Sequence, residues 1–229
     1  MTSPVVQLRV WGVDDVLPAL RRVAFGRRGL RGMPGLRFAK LLGTGSARTF
    51  TLRDADLRHW ALLTVWEDDV SARSAEQSDF LRDWCAAARS QLTVTMRPLT
   101  SRGCWSGTEP FTPANHLGSE TWSGPVAAIT RARLRPTRMI AFWRAVPPVA
   151  AELSRQPGVR LTLGIGEAPI GLQGTFSLWD SAQQLTDFAY RSPEHVAVIR
   201  RTAAERWYAE ELFARFAVLD VEGSYEGAR

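Results

Sequence analysis

Gly174-Thr-Phe-Ser-Leu-Trp-Asp180 decides the fold, because its ending has a twin in the first half of the chain, Val65-Trp-Glu67. In both places an apolar segment stops at a tryptophan followed by an acidic residue, the pattern of a buried strand handing over to a helix. Working outward, other landmarks recur in the same order. Gly43-Thr-Gly45 matches Gly164-Ile-Gly166, and Trp105-Ser-Gly107 matches Tyr225-Glu-Gly227. The chain therefore reads as two copies of one unit. In the first copy, residues 5–11 alternate like a strand, and Asp14 is placed to cap a helix carrying Val16, Leu17, Leu20, Val23 and Ala24. Residues 36–43 and 61–66 predict strands, residues 80–89 a helix and residues 92–97 a fourth strand. The second copy repeats the plan: strand 126–134, a helix over 137–153 broken at Pro147-Pro148, strands 159–166 and 172–179, then helices and a last strand, 216–221.

The fold class that follows is α+β: two tandem ferredoxin-like β-α-β-β-α-β units, residues 1–107 and 124–229. Between them, residues 108–123 are rich in Pro, Gly, Ser and Thr and read as a linker. Each unit has one helix-covered sheet face and one bare face. Packing the two bare faces together gives a pseudo-symmetric α/β barrel in one chain, with a ligand pocket expected between the sheets.

Composition narrows the function. A hydrophobic fraction of 45% with 23% charged residues describes a globular chain with ample core. No apolar run is long enough to cross a membrane and the N-terminus carries no secretory pattern, so a cytoplasmic protein is expected. The two cysteines, Cys85 and Cys104, fit a reducing compartment. The net charge of +6 comes almost wholly from arginine, with Lys40 the only lysine. No zinc-finger spacing or RNA-binding aromatic motif accompanies it, which argues against nucleic acid. An acidic protein partner or an anionic membrane surface remains in play.

Few residues carry chemistry. Gly43-Thr-Gly45 lacks the third glycine of a dinucleotide loop, Arg48 standing there instead. Neither cysteine has the loop context of a thiolate haem ligand. His59, between Arg58 and Trp60, reads as a surface or edge residue, and His116 as a solvated loop histidine in the linker. The pairs Asp68-Asp69 and Glu210-Glu211 read as a helix cap and as ion-paired residues on a helix face, the latter with Arg206 and Arg215 at i,i+4 spacing. His195 differs. Ser192-Pro193 is a helix start, and His195 shares a face with Val198, Ile199 and Thr202. That pattern alone suits a core histidine, or an imidazole leaving an apolar face to hold an iron.

The stretches Phe188-Ala-Tyr-Arg-Ser-Pro-Glu-His195 and Arg206-Trp-Tyr-Ala-Glu-Glu-Leu-Phe-Ala-Arg-Phe216 add a resemblance. With Trp60-Ala-Leu-Leu-Thr-Val-Trp-Glu67 and Arg102-Gly-Cys-Trp-Ser-Gly107, they resemble the spheroidene monooxygenase family of carotenoid ketolases. That family stands within the dimeric α/β barrel superfamily, beside haem-degrading monooxygenases, chlorite dismutases, dye-decolorising peroxidases and aldoxime dehydratases. The resemblance implies a haem b enzyme with His195 as the proximal iron ligand, one haem per pseudo-dimer and arginines for the propionates. The first copy has Glu76-Gln-Ser-Asp-Phe80 where that histidine would stand. It also implies hydroxylation of an acyclic carotenoid and a second round at the same carbon to a ketone, with dioxygen and electrons from a ferredoxin. Phe188 and Trp179 are then candidates for the pocket wall, with core packing as their alternative role. A substrate of that kind would be collected at a membrane surface by peripheral contact. Competing readings are an aldoxime dehydratase-like tailoring enzyme, a non-catalytic haem-binding protein and a cofactor-free monooxygenase.

Overall fold

In the computed structural model, which describes residues 4–46, 54–113, 122–153, 155–167, 172–191, 205 and 207–226, eight antiparallel strands close on themselves. The first half runs β1 (Val5–Gly12), α1 (Val16–Leu30), β2 (Leu36–Gly45), β3 (Ala55–Trp66), α2 (Asp69–Ala75), α3 (Asp79–Ala87) and β4 (Ser90–Gly103). The second runs β5 (Val126–Leu134), α4 (Met139–Leu153), β6 (Val159–Gly166), β7 (Leu172–Trp179), α5 (Ala182–Arg191) and β8 (Tyr208–Gly223). Around the barrel the order is β1-β3-β2-β6-β7-β5-β8-β4. Each half thus lays its four strands side by side in the same relative order, and the halves meet at two seams, β2–β6 and β4–β8. The architecture is α+β, as expected.

The recurring sequence landmarks turn out to touch one another. Gly43 pairs with Gly166, Thr44 with Ile165 and Gly45 with Gly164, so the two Gly-x-Gly segments are the β2–β6 seam. The twin tryptophans keep the same local bonds. Trp66 closes β3, is fully buried and donates its indole N–H to Thr64 Oγ1 at 2.9 Å. Trp179 closes β7, is fully buried and donates to Ser177 Oγ, also at 2.9 Å.

Side-chain alternation sorts the core into an inside and an outside. Facing inward are Val6, Leu8 and Val10 of β1, Ala61, Leu63 and Val65 of β3, and Leu212, Ala214, Phe216 and Val218 of β8. Among the described residues the barrel interior is one packed apolar cluster, because small barrels fill their lumen with side chains. Outside, α1, α2 and α3 cover Trp11, Leu62 and Trp66, where Trp11 stacks on Trp84 at 4.9 Å between centroids. Leu185 and Phe188 of α5 pack on Trp179 and Val126, and α4 packs on Leu134 and Trp207.

Three local expectations also change. α4 runs through Pro147-Pro148 without a break. β3 begins at Ala55, which brings His59 into the sheet. β8 begins at Tyr208, so Glu210 and Glu211 lie on a strand rather than a helix. The inward period of two set by Leu212, Ala214 and Phe216 overrides the helical propensity of the Glu-Glu-Leu run. Asp68 does cap a helix as read, accepting from Ser71 N at 2.8 Å, whereas the N-cap of α1 is Asp15 rather than Asp14.

Removing the hydroxyl beneath either tryptophan leaves a buried indole N–H without an acceptor, at a cost of about 1–3 kcal/mol. Thr64→Val and Ser177→Ala are therefore both expected to lower the urea midpoint. An unchanged midpoint in either would show that its indole bond contributes nothing.

Candidate functional site

At the end of the barrel where β5 and β8 pair Arg131 with Leu212, four charged side chains enter the interior. Arg131 is only 2% exposed and ion-pairs with Glu210 and, at 2.8 Å, with Glu167. Lys40, the sole lysine, reaches Glu167 at 2.6 Å and Ser106 Oγ at 2.6 Å. Trp105 donates its indole N–H to Glu167 at 2.7 Å, and the Arg131 guanidinium lies 5.5 Å from the centre of the Trp105 ring. Ser106 and Gly107 donate their backbone N–H groups to Glu210 at 3.0 and 2.8 Å. Arg133 approaches Glu210 from the surface side at 3.5 Å. Burial by itself would raise the Glu167 carboxyl, but hydrogen bonds from Lys40 and Trp105, the Lys40 charge and Arg131 together hold it below its usual value. Glu210 is likewise lowered: burial opposes, while the Gly107 and Ser106 N–H groups and Arg131 prevail.

The opposite end holds the one histidine among the described residues. His59, expected at the surface, is 3% exposed because β3 starts early enough to turn its ring inward beside Gly12. Its Nδ1–H donates to Asp56 at 2.7 Å, and the Tyr225 ring packs edge-on at 5.0 Å. The His59 hydrogen bond is the main cause that lowers the Asp56 carboxyl. Burial, helped by the Asp56 charge, pushes the Tyr225 phenol up to about 12. Nε2 of His59 is buried without a hydrogen-bond partner. It does not fit a haem ligand, since a Cβ at Gly12 would stand 2.9 Å from Nε2 and Tyr225 covers the ring, leaving no room for a macrocycle.

His195 and His116 lie outside the described residues, as does Arg206. Trp179 and Phe188 pack on each other at 5.6 Å between ring centroids, inside the apolar cluster under α5. Cys85 and Cys104 are half-buried and free. No three His, Cys, Asp or Glu side chains among the described residues converge to hold a metal ion. Sequence reading missed both the interior ion cluster and a cavity of about 330 Å³ outside the barrel, over the β2–β6 seam. The repeated Gly-x-Gly was the available signal for that cavity.

Arg131→Met would leave two buried carboxylates short of a partner, a loss of about 3–5 kcal/mol at neutral pH. Both glutamates have folded values below the usual 4.5, so their stabilisation is present above 4.5 and is lost as pH falls through the lowered values. The gap between wild type and variant should therefore be widest near neutrality and narrow in acid. Urea melts at neutral pH and at about pH 4 check this; an equal gap at both would refute the ionic account.

No family model matches the chain. Individual relatives do. The spheroidene monooxygenase of Rhodobacter capsulatus is 33% identical over 228 residues, covering 98% of this chain and 94% of that protein. The spheroidene monooxygenase of Rubrivivax gelatinosus is 36% identical, covering 94% of this chain and 83% of that protein. Among solved structures, an aldoxime dehydratase superposes with a TM-score of 0.64 over 95% of this chain and 82% of that chain. Its sequence identity is 11%, so the likeness concerns the fold alone. No helix among the described residues is long and apolar enough to cross a membrane. With identity above 30% sustained across nearly the whole length of a relative, the chain belongs to the spheroidene monooxygenase family.

Proposed function

We propose that this protein is a monooxygenase that oxygenates a hydrophobic, acyclic carotenoid, first to an alcohol and then at the same carbon to a ketone. One observation carries the reading: 33% identity to a spheroidene monooxygenase along 98% of the chain. The barrel is read as two ferredoxin-like units in tandem, since each half repeats the same strand order and the same buried Trp–hydroxyl bond. Haem b is the proposed cofactor and His195 its iron ligand. The support for that assignment is the Ser192-Pro193 sequence pattern of a helix start before His195 and the family resemblance. A ferredoxin-type protein is the proposed electron donor, and the +6 charge suits an acidic partner.

The cofactor is tested by an absorption spectrum of the full chain reconstituted with haem. A Soret band is expected in wild type, lost or shifted in His195→Ala and partly restored by added imidazole. His116→Ala should leave it unchanged. A normal spectrum in the His195 variant removes that residue from the site.

The reaction is tested with an acyclic carotenoid, dioxygen, reductase and ferredoxin. Product should depend on oxygen and donor, and turnover should fall with rising salt more steeply than haem content does. Anaerobic, donor-free dehydration of an aldoxime would instead establish a dehydratase on this fold.

A further inference from the structure

We propose that the cavity over the β2–β6 seam is the binding site for the chain of a neutral, rod-like polyene; the inference deepens the oxygenase reading and rests on it for the ligand class. Thr44 and Ile165 point into the barrel at this seam, so their glycine neighbours form its outer face. Gly43, Gly45, Gly164 and Gly166 leave a shelf of bare backbone across two strands. Leu20 and Val23 of α1 stand over it, and Leu41 and Trp60 close its sides. The space, about 330 Å³, falls at the lower end of ligand pockets, which span roughly 300–1,000 Å³, and fits a segment of a long chain.

Gly43 separates a binding role from a folding one. A Cβ there would meet only Gly166 O at 3.8 Å and the Trp60 ring at 3.9 Å, ordinary contacts. Nor does it have a positive φ. Glycine inside a strand costs stability relative to alanine; the register shift between Gly43 and Thr44 gives the backbone one use for it, but no side-chain packing at 43 requires it. What its missing side chain provides is open space. Gly45 is the contrast, since a Cβ there would lie 2.5 Å from Asp54 O, and the fold itself requires glycine.

The surroundings select a neutral ligand. Among the described residues the lining carries Asp54, Asp56 and Glu167 and no arginine or lysine, which disfavours an anionic head. Asp56 is bonded to His59 and Glu167 to Lys40 and Arg131, so neither is offered to a cationic one. The lip is apolar and wet: Leu20 is 41% exposed, Leu57 52%, and Leu17, one turn before Leu20 on α1, 73%. A hydrocarbon chain can enter over these leucines.

The test uses 1,6-diphenylhexatriene, a neutral rod-like polyene that fluoresces in apolar surroundings, with the full chain and no donor. Saturable binding at one site per chain is expected, displaced by an acyclic carotenoid. Gly43→Leu, which fills the shelf, should weaken it at least tenfold without lowering the melting temperature. Val23→Phe, filling from the helix side, should do the same and replaces Gly43→Leu if that variant melts early. Val70→Ser, exposed on α2 and away from the lining, should bind like wild type. Wild-type affinity in both filled variants, or no saturable binding in wild type, overturns the site. If carotenoid is oxygenated equally by wild type and filled variants, the site falls and the oxygenase stands. If the filled variants block the probe while wild type makes no oxygenated product, the site stands and the oxygenase falls.

Discussion

Everything in this molecule depends on closing the sheet at two seams of unequal strength. β4 and β8 pair along a long antiparallel run, from Leu92 opposite Gly223 to Gly103 opposite Leu212. β2 and β6 meet at three residue pairs only. The long seam fixes the two halves in register. The short one removes the last free edges, which a four-stranded half alone would expose on both sides. Closure then imposes two further demands: the lumen must be filled, and its ends must be covered. Apolar residues from all eight strands meet the first demand. Segments leaving the long seam meet the second, since Trp105 follows β4 at one end and Tyr225 follows β8 at the other.

The two ends of the barrel are closed by different chemistry. Trp105 closes its end over a network of full charges, whereas Tyr225 closes the other over a single imidazole and carboxylate. The charged end gives a geometric reason for the only lysine in the chain. Lys40 sits on the inward face of β2, between Phe38 and Leu42, and joins Glu167 beyond the short seam to Ser106 beyond β4. Arginine carries the remaining positive charge, most of it on the surface, where a planar guanidinium tolerates many partners. In a buried ion cluster the cost of removing one member exceeds the gain from having assembled it.

How much of this was legible in the sequence follows from how local each signal is. β5, β6 and β7 match their predicted bounds because short alternating runs between turn residues report directly on a half-buried strand. The first part of β8 was misread because Ala-Glu-Glu-Leu has helical propensity, and only the barrel reveals that every second residue faces a core. His59 was misplaced for a similar reason. Its neighbours Arg58 and Trp60 suggested a rim, while its burial depends on Gly12, which pairs with it from another strand. The interior charges were invisible for a stronger reason: Arg131 and Glu210 are 79 positions apart, and Lys40 and Glu167 are 127 apart.

The short seam also shows why a repeat of two glycines carries meaning beyond a strand end. Where two sheet edges meet at a short seam, a small residue on one strand can be answered by a small residue on the other. Gly43 opposite Gly166 and Gly45 opposite Gly164 are that answer. Two pairs of absent side chains, both on the outer face, make a gap that neither half possesses alone. On one side α1 covers the gap with Leu20 and Val23. The cavity belongs to the seam and to neither half alone, and the motif that identifies it can be seen only when both Gly-x-Gly segments are read together.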